Sequence, residues 1–238
     1  MVYGQSGSGK TYSLRTAKKP LFVDSFDPGG SVVLSDLIAK GLAVVRSEFE
    51  QEDPKHPSAF EAWDRAFDEL ERAKVMDKFG TYVLDSATTW GQACLNYVMK
   101  KAGRAGGTPQ QNDWYPQMVL MEAGIRRIFA LPCDVIFICH DDVQKDEIIG
   151  KLTRAPMLTG KSKTRIPLLF SEIYYSDSKR SSKGTEWVWQ LQRDNTNQAK
   201  SRLCGLAGKA LDFVPQDYKA LMKELGRPYE DLPPLTLE

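Results

Sequence analysis

Short apolar runs alternate along the first 140 residues with longer segments whose apolar positions recur at helical spacing. Leu21-Phe22-Val23, closing on Asp24, is followed by Leu42 to Val45, by Thr81 to Leu84 closing on Asp85, and by Asp134 to Cys139. Such continuous runs suit strands buried on both faces of a parallel sheet. Between them, Ser58 to Met76 carries Phe60, Trp63, Phe67 and Leu70 one helical turn apart, with charged residues on the opposite face. Thr88 to Lys101 reads as a further helix, and Met118, Met121, Ile125 and Ile128 mark another that Pro132 stops. Thr11 to Lys18 reads as the start of a helix, and Asp27-Pro28-Gly29-Gly30 as a turn.

Beyond residue 140 the period shortens. Ile173-Tyr174-Tyr175 and Trp187 to Leu191 read as strands, the second alternating Trp187, Trp189 and Leu191 against Val188, Gln190 and Gln192. The chain is therefore expected to form an α/β fold in three layers: a mainly parallel central sheet, helices on both faces, and an antiparallel C-terminal extension. The main domain is placed at residues 1–214, and residues 215–238 are expected to hold one short helix and a Pro-rich end.

Lys and Arg number 32 against 31 Asp and Glu, so the net charge of +1 gives no global attraction to a polyanion, and nucleic-acid binding would need local basic loops. Cys94, Cys133, Cys139 and Cys204 form no C-x-x-C pair and only two histidines accompany them, which supports neither a zinc site nor a disulfide framework. No apolar run is long enough to span a bilayer, so no membrane association and a cytoplasmic location are expected.

Gly4-Gln5-Ser6-Gly7-Ser8-Gly9-Lys10-Thr11 matches G-x-x-x-x-G-K-[ST] at every fixed position, with Tyr12 following. Its glycines let successive backbone N–H groups converge on phosphate oxygens, Lys10 would reach the β and γ phosphates, and the Thr11 hydroxyl would ligate Mg²⁺. ATP and Mg²⁺ are the expected cofactors. Only Met1-Val2-Tyr3 remain for the strand that normally precedes such a loop, so either that strand is very short or the chain begins inside a longer protein. Asp85 is the expected second metal residue. Asp24 and Asp27 are candidates for orienting the attacking water, or are turn formers before Gly29-Gly30. His140, at the end of an apolar strand, is a candidate γ-phosphate sensor, although lone histidines also serve structural roles. Two basic segments, Lys100 to Tyr115 and Lys145 to Arg165, are candidate polyanion-binding loops, with Trp114 or Tyr115 stacking on bases.

With these motifs assembled, the sequence resembles the RecA-type recombinases, and more closely the compact phage-encoded proteins with a RecA-like core that serve in single-strand annealing. Tyr82-Val83-Leu84-Asp85-Ser86-Ala87-Thr88-Thr89 resembles the family's metal-binding strand and turn, and Ile136-Phe137-Ile138-Cys139-His140 its sensor strand. Pro156-Met157-Leu158-Thr159-Gly160-Lys161 resembles the end of its second DNA-binding loop, and Trp187 to Arg202 its terminal hairpin and basic segment. The resemblance implies a RecA-like P-loop ATPase fold, single-stranded DNA contacts at Arg104, Lys161 and Arg165, and a homo-oligomer with ATP at its interfaces. There, Lys200 or Arg202 would act on a neighbour's γ-phosphate. The family's catalytic Glu falls at Phe26, so Asp24 or Asp27 would substitute for it or turnover would be slow. A nucleotide-switched assembly or packaging factor and a small-molecule kinase stay open as alternative functions.

Overall fold

The computed structural model describes residues 1–145, 150–182 and 184–236. Among the described residues, nine strands form one sheet in the order β11 (Phe213–Pro215), β9 (Gly184–Gln190), β8 (Glu172–Ser181), β1 (Val2–Tyr3), β5 (Asp134–Cys139), β4 (Thr81–Asp85), β2 (Leu21–Ser25) and β3 (Ala43–Arg46), with β10 (Lys200–Ser201) pairing on β8. The six strands from β8 to β3 run parallel, whereas β9, β10 and β11 are antiparallel to their neighbours. This is the mixed sheet that the change of period at residue 140 predicts.

Two cores lie on its two faces, as alternation along each strand requires. On one, Tyr3, Phe22, Tyr82, Leu84 and Phe137 meet Trp63 and Phe67 of α3 (Ala59–Ala73), Trp90 of α4 (Ala87–Lys101) and Ile125 and Ile128 of α5 (Trp114–Phe129). On the other, Val2, Val23, Val83, Ile138 and Trp189 meet Leu14, just beyond α1 (Lys10–Ser13), and Leu37 of α2 (Ser35–Ala39). The same core takes in Cys204 of α7 (Arg202–Leu206) and Tyr218 and Leu221 of α8 (Tyr218–Glu224). Of the tail proposed to start at 215, described to residue 236, the first residue belongs to β11, and Tyr218, Leu221 and Leu225 are buried.

Several local expectations change. The helix after the glycine loop is one α-helical turn, Lys10–Ser13, continued by a 3₁₀ turn over Leu14–Thr16 rather than reaching Lys18. The helix read as Ser58–Met76 stops at Ala73, where Lys74 takes a left-handed backbone (φ 52°). The segment Lys145–Arg165 is no open loop: β6 (Asp141–Lys145) and β7 (Leu152–Pro156) pair as a hairpin, and α6 (Ser162–Leu169) follows. Residues 146–149 of that segment lie outside the described residues. No helix among the described residues is long and apolar enough to cross a membrane.

Candidate active site

Strand order places the site. β5 inserts between β1, which leads into the glycine loop, and β4, which ends on Asp85, so that the C-terminal ends of β1, β5, β4 and β2 line one edge of the sheet. Parallel sheets bind ligands at that edge.

The loop Gly4 to Gly9 turns into α1, with Ser8 N–H donating to the Gln5 carbonyl at 3.2 Å. Lys10 is 7 % exposed, and its Nζ donates to the carbonyls of Gly4 and Gln5, both at 2.7 Å. Burial lowers its pKa, while the carboxylates of Asp85, Asp141 and Asp27 pull the other way. Gly4 leaves no room for a side chain, because a Cβ there would collide with the Ser176 carbonyl of β8. Gly9 combines a left-handed backbone (φ 90°) with close approach: its Cβ position lies 2.8 Å from Trp187 Cδ1 and 2.5 Å from Gln216 Oε1. The Ser8 hydroxyl is buried and has no hydrogen-bond partner among the described residues. Tyr12 projects from α1 and is 65 % exposed.

Thr11 Oγ1 donates to Asp85 Oδ2 at 2.8 Å, which joins the two residues expected to serve the metal. Asp85 is 2 % exposed, and burial raises its pKa from 3.8 to about 6, against the opposing hydrogen bond from Thr11. A carboxylate held in this way gains from a nearby cation. Among the described residues no three His, Cys, Asp or Glu side chains are grouped as a metal cage. Mg²⁺ in nucleotide sites needs none, since one or two protein oxygens, phosphate oxygens and waters complete its shell. The buried unpartnered Ser8 hydroxyl, the clustered lysine and the Thr11–Asp85 pair therefore fit a nucleoside triphosphate with Mg²⁺. Thr11 and Asp85 would hold the ion there, and it would supply positive charge to offset that of the phosphates.

Asp27 and His140 converge beside this pair. His140 Nε2 lies 3.0 Å from Asp27 Oδ2, while Ser86 Oγ (2.9 Å) and Thr89 Oγ1 donate to Asp27 Oδ1. Burial would raise the Asp27 pKa, but the hydrogen bonds from His140, Thr89 and Ser86 outweigh it and hold the carboxyl below its usual range. The same bond to Asp27 raises the His140 pKa against partial burial. The His140 backbone is pinned as well: its N–H donates to Thr88 Oγ1 at 3.1 Å, and its carbonyl accepts from Met157 N–H at 2.8 Å.

Asp24 is not part of the site. Its position on β2 turns it with Phe22 to the face away from α1, where it is fully buried. There it accepts from Arg46 Nε (2.6 Å) and Nη2 (2.7 Å), from Trp63 Nε1 (3.0 Å) and from the Tyr82 hydroxyl. Both its oxygens are engaged in a structural network with Arg46, Trp63 and Tyr82. Phe26 is buried and stacks on Phe49, with ring centroids 5.2 Å apart. The position of the expected glutamate thus belongs to the core.

Sequence reasoning missed several neighbours. Glu50 accepts from Ser25 Oγ (2.6 Å) and Gly29 N–H (3.0 Å), bracing the turn that carries Asp27. Asp141, the first residue of β6, has a buried Oδ2 with no partner among the described residues and bears electrostatically on Lys10. The Gln216 amide lies within hydrogen-bonding distance of the Ser8 carbonyl (2.8 Å) and Ser176 Oγ (2.7 Å). None of these stands in a recognisable motif, so only the folded chain reveals them.

The basic candidates separate. Arg104 pairs with Asp113, and Arg165 with Glu122 at 2.7 Å, so both are neutralised by partners within the chain. Lys161 is exposed and lines a cleft of about 410 Å³ with Gln111, Trp114, Tyr115, Met118 and Gly160. Lys200 and Arg202 sit at the opposite end of the sheet from the glycine loop: β10 pairs at Ile173 and Glu172, the beginning of β8, and Lys200 Nζ donates to the Pro167 carbonyl at 2.9 Å.

A parallel sheet flanked by helices, with a glycine-rich phosphate cradle and a threonine–aspartate pair at its edge, defines a P-loop nucleotide-binding ATPase. A family model described as an AAA domain matches residues 1–203, and the chain belongs to that AAA-domain family. No curated protein matches the chain.

Proposed function

We propose that this ATPase is a DNA-recombination protein of phage type that binds single-stranded DNA and couples that binding to ATP hydrolysis. The observation that carries the reading is the cleft where the two basic segments meet, because Trp114 and Tyr115 come from one segment and Gly160 and Lys161 from the other. Tyr115 is 69 % exposed, and an aromatic ring beside an exposed lysine suits an unstacked base and its phosphate. A short path joins the cleft to the nucleotide edge. Thr159 Oγ1 donates to Gln117 Oε1 at 2.8 Å; two residues back, Met157 N–H donates to the His140 carbonyl and the Met157 carbonyl accepts from Thr88 Oγ1, and His140 bonds Asp27. A γ-phosphate that engages His140 would therefore bear on the strand end leading into Lys161.

In this reading Lys10 binds the β and γ phosphates, Thr11 and Asp85 hold Mg²⁺, and Asp27 holds His140 toward the γ-phosphate. Lys200 and Arg202, remote from their own Lys10, would act only on a neighbouring subunit's nucleotide in a homo-oligomer. Steady-state ATP hydrolysis by wild type and Lys10→Ala, with and without single-stranded DNA, tests the proposal. Turnover that rises with DNA and vanishes in Lys10→Ala supports it, and turnover indifferent to DNA refutes it. One observation favours a second reading, a nucleotide-switched assembly factor: Phe26 is buried where the recombinases carry their catalytic glutamate. Tight ATP binding without any turnover would select that reading.

A further inference from the structure

The nucleotide site has an end that the phosphate chemistry leaves unaccounted for. Asp85, His140 and Asp27, which mark the metal and γ-phosphate, all come from the β5–β4–β2 side of β1. The rest of a nucleotide must then leave the cradle toward the other flank of β1, which β8 and β9 form. On that flank stands Trp187. It shares a face of the sheet with Trp189 and Ser176, being paired with Ser178 one step further along β8. Trp189 is fully buried, but Trp187 runs past the end of the core and is 48 % exposed.

Its indole is nonetheless tightly located, with Cδ1 2.8 Å from the position of a Gly9 Cβ. Gln216 fixes its backbone: Gln216 N–H donates to the Trp187 carbonyl (3.2 Å), while the side-chain amide reaches the carbonyls of Ser8 (2.8 Å) and Val188 (3.1 Å). Tyr12 lies three residues beyond Gly9 on the same side of the first turn of α1, and its ring is also largely in water. One exposed, braced aromatic ring thus lies against the last glycine of the phosphate loop, while Tyr12 projects from the next turn with the Arg15 guanidinium 5.6 Å from its ring centre.

We infer that Trp187 is the stacking wall for the nucleobase and that it makes the site favour a purine over a pyrimidine. This rests on the nucleotide-binding reading of the glycine loop. A planar purine covers the indole better than a pyrimidine does, and a braced wall loses little freedom on binding. The wall recognises the base alone and contributes nothing to the phosphates.

The test compares ATP, CTP and inorganic tripolyphosphate, each with Mg²⁺, by calorimetry on wild type, Trp187→Ala, Trp187→Phe and Lys10→Ala. Trp187→Ala is expected to weaken ATP about tenfold, to leave tripolyphosphate unchanged and to narrow the gap between ATP and CTP, and Trp187→Phe to restore most of the loss. Unfolding curves confirm that each variant is folded. Equal ATP affinity in wild type and Trp187→Ala overturns the inference, as does a parallel loss of ATP and tripolyphosphate. If the wild type binds neither ligand, the nucleotide reading itself has failed, an outcome distinct from retained binding with no role for Trp187.

Discussion

Replacing Asp85 with Asn should stabilise the free protein while removing its function. In the folded chain the carboxyl is 2 % exposed and its pKa stands at about 6 instead of 3.8. A rise of that size corresponds to about 3 kcal/mol against folding once the group is ionised. An asparagine keeps an oxygen for the Thr11 hydroxyl but buries an extra amide N–H₂, which costs about 1 kcal/mol. The net gain is about 2 kcal/mol, or a rise in Tm of roughly 4–8 °C for a chain of this size. The sign follows from proton binding. Between about pH 4 and 6 the folded wild type holds more protons than the unfolded chain, so its stability falls as pH rises through that window. The advantage of Asp85→Asn should therefore be absent below about pH 4 and complete above about pH 6. Denaturant unfolding of both proteins in EDTA, across that range and without nucleotide, measures it. ATP with Mg²⁺ should then raise the Tm of the wild type and not of the variant. An Asp85→Asn protein that is less stable at neutral pH, or stabilised equally at every pH, would refute the reasoning.

Asp24→Ala should destabilise the fold by about 3–5 kcal/mol by leaving the Arg46 guanidinium buried without its partner, whereas Asp27→Asn should lower ATP turnover with a much smaller loss of stability; unfolding curves and turnover separate the two. His140 should titrate above the ordinary histidine range, and Asp27→Asn should lower its pKa, as read from imidazole resonances by NMR. Because His140 is raised and Asp27 depressed, the stability of their pair is lost as pH rises through the His140 value and as it falls through the Asp27 value. Gly4→Ala should cost about 2 kcal/mol or more through collision with the Ser176 carbonyl, seen as a lower Tm. Tyr115→Ala should weaken binding to oligo(dT) about tenfold, and Lys161→Ala should reduce the salt slope by about 0.7, both measured by fluorescence anisotropy. Arg104→Ala and Arg165→Ala should change that affinity by less than about twofold, since each arginine is already paired.

By itself the sequence determined the elements whose physics is local. Continuous apolar runs located β2, β4 and β5 because a strand buried on both faces must be apolar at nearly every position; the same signal found β3, although it lies at the sheet edge with Val44 exposed. The glycine loop was legible because a phosphate cradle of backbone N–H groups demands glycines and a lysine at fixed spacing. The Thr11–Asp85 pair followed from that motif and from the end of β4. Tertiary structure decided what depends on facing and on distant partners. Asp24 and Asp27 lie close in sequence, yet strand alternation turns Asp24 into a buried pair with Arg46, while the turn after β2 brings Asp27 to His140. Arg104, Lys161 and Arg165 look alike along the chain, and only folding sets an acid beside two of them and an aromatic cleft beside the third. Trp187 reads as one more core position of an alternating strand, until the offset between β8 and the glycine loop leaves its indole half in water beside Gly9. Periodicity states which residues share a face, but where the core ends along that face is fixed by strand order and register, which no local pattern contains.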